Sequence, residues 1–506
     1  MYAMSLHRLS LCSPVLTAFA AVLIAACAAP ANIESETAES AITSVDGQFG
    51  TNGFVVTDLG SKAAAGGNDT ARAIVRLSNG KLLVGADAQP SYASFAAARN
   101  ASGFVAYLRY NADGTLDTTY GSPAGWAGAL GPVKPGVTTP FGESVGKVTQ
   151  FLRASSGRIV SVGAAGDERA RLGPWCQGAC NPGDFAIAAF SPDGSVDTSF
   201  GSSGRTLVDF EAAQDAGGSK HTLDGAVGAV IQSGDRVLVG GTSELGLADR
   251  SPTFALARLT ASGQLDASFV NSRGGDKPGL IRLPRIGANG ARAAAVTTAP
   301  NDGIVLAGYT TQATQVVDRI ESQLVLARFD ADGALVQAFG QGGIVLADLG
   351  AVATTATAVL AQGDGTLLVG GQTGKDLFLA RFDANGALDP TFGDAGVVRF
   401  RPAGADSASL KKLVATPSRV YALGEARKSS ATAPIVIRLD GNATGAFDAA
   451  FGDDGVFSGF AGAPGPASLL DLAPLPDGSL VAVGGVRAPG ANGRVDSDIV
   501  LTRLHP

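Results

Sequence analysis

Three histidines, four cysteines and a scatter of serines and acidic residues limit what chemistry this 506-residue chain can perform. His7 sits near the start and His505 is penultimate, so His221 is the one internal candidate for a catalytic base. A single G-x-S-x-G string, Gly142-Glu143-Ser144-Val145-Gly146, invites comparison with a nucleophile elbow, where a serine rides a tight strand-to-helix turn. This string runs instead into Val148-Thr149-Gln150-Phe151-Leu152, a strand pattern, so Ser144 is not expected to be a nucleophile. No H-E-x-x-H, phosphate-binding loop or Cys/His zinc cluster occurs. Asp-rich turns such as Asp330-Ala331-Asp332-Gly333 raise calcium as an idea, but an EF-hand needs further acidic ligands and a closing Glu. Plain Asx turns are the expectation there. Cys176 and Cys180, in Trp175-Cys176-Gln177-Gly178-Ala179-Cys180, are too few for a four-ligand zinc site. In an exported chain they are expected to form a local disulfide. The expectation is a protein with no catalytic residues, no metal and no cofactor.

What does repeat is a charged pair eight residues apart: Arg109/Asp117, Arg258/Asp266 and Arg381/Asp389. Basic residues also close the related strands at Arg328, Arg438 and Arg503, while Ala189 stands at that position in one copy. A charge pair replicated this often is read as a structural clamp on a recurring turn, because a binding site needs asymmetry.

The elements that position these pairs are repeats. A turn followed by an aromatic residue, usually with Gly behind it, places aromatics at 49, 120, 200, 269, 339, 392 and 451. Between successive aromatics lie a hairpin with an Asn-Gly or Asp-Gly turn, as in Ser78-Asn79-Gly80-Lys81, and a strand of large-small alternation, as in Leu324-Val325-Leu326-Ala327-Arg328-Phe329. A further short strand follows each aromatic, as in Phe54-Val55-Val56-Thr57. Four strands per unit, seven times, predict an all-β fold: a seven-bladed β-propeller of four-stranded antiparallel blades. The last strand stops near Pro506 without a turn motif, and a spare copy of that motif lies at Asp46–Gly53. The N- and C-terminal segments are therefore expected to close the ring and remove its exposed edge. The aromatics are expected to plug the core.

The A-R-[LF]-x-x-x-G-x-L-D-x-x-F-G run and the D-G-x-L-x-V-G-G hairpin resemble the delta-60 repeat family of bacterial β-propellers, which look like NHL-type propellers. The resemblance covers roughly residues 45–506. It implies a secreted or envelope propeller and carries no activity to transfer.

The N-terminus reads as an address. Residues 1–26 form a leader, with His7 and Arg8 before the apolar run Val15–Ala26. That run is about 12 residues, too short to span a bilayer. It ends in Ile24-Ala25-Ala26-Cys27, which resembles the lipobox of bacterial lipoproteins and implies lipid on Cys27. More than one acyl chain gives stable anchoring. Residues 27–44 read as an acidic flexible tether and 45–506 as the propeller. The expected location is the bacterial outer membrane, anchored through lipid alone.

Composition narrows the partners. Charged residues make up only 16% of the chain, too few for a disordered protein. The net charge is −7, and no basic stripe offers itself to nucleic acid or to an acidic membrane surface. A monomer is expected. Lettering the strands a to d from inner to outer, with the aromatic turn between d and the next a, puts the short turns on one face. The variable a–b and c–d loops then share the other face. The long loops are 87–103, 122–143, 164–183, 211–224, 271–290 and 309–321, so binding is expected on that face in blades one to four. Trp126 and Trp175, the only two tryptophans, are placed there as candidate anchors. The functional expectation is a cell-envelope lipoprotein whose propeller binds a protein or glycan. The alternative is a propeller hydrolase or a sugar- or lactone-processing enzyme acting at the axial channel.

Overall fold

Alternating large and small side chains favour strands that pack on both faces, and Gly in the hairpins supplies the positive φ their turns require (Gly80, φ +80°). The computed structural model describes residues 44–59, 68–89, 104–121, 127–128, 131–132, 137–141, 145–166, 184–210, 224–244, 251–270, 277–310, 312–313, 320–350, 353–440, 444–458, 460, 463–489 and 495–505. They all fall in one unit, Ile33–Pro506. Among them the only helical element is a three-residue 3₁₀ turn, Ser233–Asp235.

The strands form seven four-stranded antiparallel blades. Blade two shows the pattern: strand a Val145–Arg153, b Ile159–Gly166, c Asp184–Phe190 and d Arg205–Val208, hydrogen-bonded in that order. Blades one and three to six repeat it, with strand a at Asn68–Arg76, Gly225–Gln232, Ala291–Thr298, Thr354–Ala361 and Ser407–Ala415. Blade seven takes strands a, b and c from Ala467–Pro474, Leu480–Pro489 and Val495–His505. Its fourth strand is Phe54–Thr57 from the other end of the chain, with Phe54 opposite Thr502 and Thr57 opposite Ile499. Ser44–Val45 adds to the same C-terminal strand. The ring is thus closed by both termini.

The lettering expected from sequence is corrected by one place. The strand after each aromatic turn is the outermost, not the innermost: Val56, Leu207 and Leu346 expose large apolar side chains from equivalent points on it. The axial channel is lined instead by the strands that precede the hairpins. The aromatic turn is therefore the c–d connection inside a blade, and the N-terminal segment supplies an outer strand rather than a link between blades. The short a–b and c–d turns share one face, and the b–c and d–a connections share the other. Of the loops expected on the long-loop face, 122–143 and 271–290 therefore begin after a strand c, at the short-turn end of blades one and three.

Seven apolar clusters make up the core, and each is shared by two neighbouring blades, as where Val239 and Ala257 of blade three meet Phe185 and Phe200 of blade two. Close approach at these seams excludes a side chain at some positions. A Cβ on Gly240 would lie 2.5 Å from the Leu306 side chain of blade four. Every a–b ladder carries a register shift, between Ala226 and Gly228 in blade three for example. A bulge of this kind breaks the ladder locally, and neighbouring blades bond to the strand beside it. Ala229 donates its N–H to Gln150 Oε1 at 2.8 Å, and Ile74 donates to Asp471 Oδ2 at 3.1 Å.

Candidate functional site

Three regions carry polar chemistry: the turns of the short-turn face, the axial channel, and the strand ends of the long-connection face.

On the short-turn face six of the seven buried aromatics, Tyr120, Phe200, Phe269, Phe339, Phe392 and Phe451, lie beneath a guanidinium. Arg109 Nε donates to Asp117 Oδ2 at 2.6 Å, and Arg258 and Arg381 donate to Asp266 and Asp389 at 2.8 Å each. Their guanidinium carbons sit 4.8, 4.6 and 5.0 Å from the ring centroids of Tyr120, Phe269 and Phe392. Arg109 and Arg258 also reach the next blade, donating to the carbonyls of Asp193 and Ala331 at 2.8 Å. Each such unit therefore ties strand c, its own turn and the neighbouring turn together. Burial alone would raise the Asp266 carboxyl, but hydrogen bonds from Ser268 and the Arg258 charge outweigh it and hold the group below its ordinary value. Asp117 is likewise held well below, by Lys81, Thr119 and Arg109 against its burial.

Three blades depart from this pattern. In blade seven Arg503 turns to Ser479 and Asp477 of the a–b hairpin and reaches the turn acid Asp46 at 3.6 Å. In blade two, where Ala189 replaces the arginine, Arg158 enters from the a–b hairpin. It meets Asp197 at 2.8 Å and lies 5.7 Å from the Phe200 centroid. In blade four Val336 stands where the acid would be, and Arg328 keeps only the Ala384 carbonyl at 2.7 Å and a looser ring contact at 5.9 Å. The Asp330 turn is an Asx turn, with Oδ1 accepting from the N–H groups of Asp332 and Ala334 at 3.0 and 2.9 Å.

The axial channel encloses about 470 Å³ and is lined by the seven a strands. Alongside Val148, Val227, Ala295 and Leu413 it presents Arg72, Lys147, Lys411, Lys412 and Gln150, a more basic wall than the repeats implied. Carboxylates beside it are held by these bases: Asp87 by Arg72 at 2.6 Å, Glu425 by Lys411 at 2.8 Å and Asp471 by Lys412 at 3.4 Å. Burial pushes Asp87 and Asp471 up, and the facing bases offset that only in part.

On the long-connection face two acidic triads come together from distant sequence. Asp184, Asp209 and Asp224 meet where blades two and three join, and Asp498, Asp58 and Asp69 meet where blades seven and one join. Sequence reasoning missed them because each residue stands alone in its own strand. The signal was present in register: in both places one Asp lies at or near the start of strand c, another directly follows strand d, and a third lies at the start of the next strand a or just before it.

Cys27, Ser144, Cys176, Cys180, His221, Trp126 and Trp175 lie outside the described residues. The strand ends flanking the two tryptophans are described, and they differ. Trp126 falls between strands c and d of blade one, and Trp175 between strands b and c of blade two. The strand ends that bound the two segments therefore lie on opposite faces.

Fold and repeats together define a β-propeller repeat protein. A family model described as "Domain of unknown function (DUF5122) beta-propeller" matches residues 77–120, 232–269 and 362–392. Each match runs from an a–b turn to the buried aromatic, in blades one, three and five. No curated protein matches the chain. Among solved structures, a protein of unknown function from Dyadobacter fermentans is 10% identical with a TM-score of 0.40, over 89% of this chain and 98% of that one. The NanB sialidase from Streptococcus pneumoniae is 10% identical with a TM-score of 0.40, over 90% of this chain and 71% of that one. The extracellular domains of Drosophila Semaphorin 1a are 8% identical with a TM-score of 0.38, over 88% of both chains. At such values no activity passes from any of them to this chain.

Proposed function

We propose that the protein is an exported binding scaffold, lipid-anchored through Cys27, that holds a protein or glycan of the cell envelope on the long-connection face of blades one to four. One observation carries the reading: the connections on that face are grossly unequal on a near-regular scaffold. Between strands b and c, blades five and six turn in two residues each, at 374–375 and 429–430. The same connection takes residues 90–103, 167–183, 245–251 and 311–323 in blades one to four. Loops held by a rigid frame are where recognition residues concentrate, and the two-residue turns of blades five and six show that the frame itself does not need the length. A binding role is favoured over catalysis because the carboxylates beside the channel are tied to Arg72, Lys411 and Lys412.

The test is crosslinking of the full-length protein in intact envelopes, with a variant whose residues 167–183 are replaced by the two-residue turn of blade five. A partner captured by the parent and lost from the variant is the expected result. Equal capture by both removes the long-connection face from the binding site. Cys27→Ser should move the protein from the membrane fraction to the soluble fraction, and retention in the membrane would refute lipid anchoring.

A further inference from the structure

The bulge in each a–b ladder leaves one residue of strand a unmatched, and all seven of these residues line the axial channel. Their backbone positions are equivalent, so the side chains alone decide what the channel presents, and these are not alike. Arg72 and Thr149 stand there in blades one and two, and Lys411 and Leu470 in blades six and seven. Val227, Ala294 and Thr357 stand there in blades three to five. Lys412 follows Lys411, and Lys147 precedes Thr149 by two residues, roughly 7 Å nearer the long-connection face. Every base in the wall therefore lies on the arc of blades six to two. The facing arc of blades three to five carries no charged residue.

The polar groups left free in this space are mainly donors. Thr149 donates its hydroxyl to the Val162 carbonyl at 2.9 Å, and Thr357 donates to that of Leu410 at 2.6 Å. The Thr297 hydroxyl accepts the Ala361 N–H, and Gln150 Oε1 accepts the Ala229 N–H, which leaves Gln150 Nε2 for the channel. The carboxylates stand behind the bases, not in the wall. Arg72 spends Nε on Asp87, Lys411 meets Glu425 and Lys412 meets Asp471. Each pairing steadies a base and leaves it further N–H donors. Lys147 is exposed and forms no ion pair among the described residues. Four cations thus face three carboxylates, and burial pushes two of those, Asp87 and Asp471, up. A cleft lined by one sign of charge between low-dielectric walls concentrates its field on a counter-ion.

We propose that the axial channel binds a small organic anion, with its carboxylate or phosphate held by Arg72, Lys147, Lys411 and Lys412 and its carbon frame against Val227, Ala294 and Ala295. The volume of about 470 Å³ falls among small-ligand pockets, which run from about 300 to 1,000 Å³. Seven identical side chains would attract an anion without orienting it. One basic arc facing one uncharged arc fixes which end of the ligand goes where. The site is built from strands, not from the long connections, so it stands or falls separately from the partner face proposed above.

The test is calorimetric titration of the full-length protein, at low and at physiological salt, with three probes that share one ring: glucuronate, glucose 6-phosphate and glucose. At least one of the two anions should bind saturably with a Kd at or below about 1 mM, and glucose at least about tenfold more weakly. Salt should weaken the anion. Lys147→Gln strands no carboxylate and should weaken anion binding about tenfold at unchanged Tm. Ala294→Glu sets a carboxylate opposite the bases and should abolish binding, while Ala294→Gln, of equal bulk, should bind better than Ala294→Glu. Three results would overturn the proposal: neither anion binding saturably up to about 10 mM, glucose binding as tightly as the anions, or unchanged affinity in both Lys147→Gln and Ala294→Glu.

Discussion

Removing the guanidinium of Arg258 should cost far more than removing that of Arg328, although the two occupy the same place in neighbouring blades. Arg258 is 1% exposed and makes three hydrogen bonds, to Asp266, Ser268 and the Ala331 carbonyl, at 2.8, 2.9 and 2.8 Å. In Arg258→Ala the Asp266 carboxylate stays behind in a largely buried turn without its cation, a change that typically costs about 3–5 kcal/mol. Arg328 leaves no carboxylate behind. Its loss removes one hydrogen bond and a loose ring contact, together about 1–2 kcal/mol. With an unfolding entropy of about 2.1 cal/mol/K per residue, a ring of roughly 450 residues melting as one unit loses about 1 °C per kcal/mol. The two variants should therefore differ by about 2–3 °C in Tm, and in the same order in urea midpoint, followed by circular dichroism. Arg258→Ala with Asp266→Ala should recover part of the loss, because no charge is then stranded. If the two single variants melt together, or the double variant is worse by the sum of its parts, the buried carboxylate is not what makes the arginine necessary.

Other expectations follow from the same turns. Arg158→Ala should destabilise blade two by about 2–4 kcal/mol, and adding Ala189→Arg should restore most of it by returning the guanidinium to the strand that carries it elsewhere; no rescue in denaturant titrations would mean that Arg158 acts otherwise. Tyr120 is the one tyrosine among six phenylalanines at the plug position, and its buried hydroxyl has no partner. Tyr120→Phe should raise stability by about 1 kcal/mol, and a fall in midpoint would contradict the orphaned hydroxyl. Asp117, Asp197 and Asp266 are all held below their ordinary value in the fold. Their contribution is complete above the unfolded carboxylate range, near pH 4, and is lost as pH falls through their lower folded values. Acid unfolding should set in below about pH 4, and Asp266→Asn should flatten that limb of the pH–stability curve; an unchanged limb would rule out the clamp as its source.

Much of this ring was legible in sequence because its repeats are marked by residues with few substitutes. An aromatic plug and a glycine at positive φ recur at each turn, and a Cβ on Gly333 (φ +84°) would lie 2.5 Å from the Phe269 ring. Which strand faces the axis was not legible, since strands a and d are both short runs of small and β-branched residues. Only the exposed Val56, Leu207 and Leu346 and the channel-lining residues tell them apart. The replacement of one arginine by another was also hidden, because Arg158 and Ala189 are 31 positions apart in sequence, yet Arg158 directly precedes strand b, whose Val160 lies opposite Ala189. The acidic triads escaped for the same reason. Proximity there comes from register between strands and from the seam between blades, and neither leaves a local pattern.

The strand that completes blade seven also sets an order of events. Phe54–Thr57 is made early, and its partner Val495–His505 is made more than 400 residues later. Joining ends some 450 residues apart costs about 3 kcal/mol more in loop entropy than closing a hairpin-sized loop of about 15 residues. Until that late step, six assembled blades form an open arc. The first strand out has no partner, and the growing array carries a raw edge at each end, the kind of edge that pairs with other chains. A chain stalled before Val495–His505 is made would leave Phe54–Thr57 without its partner although strands a and b of every blade are already made.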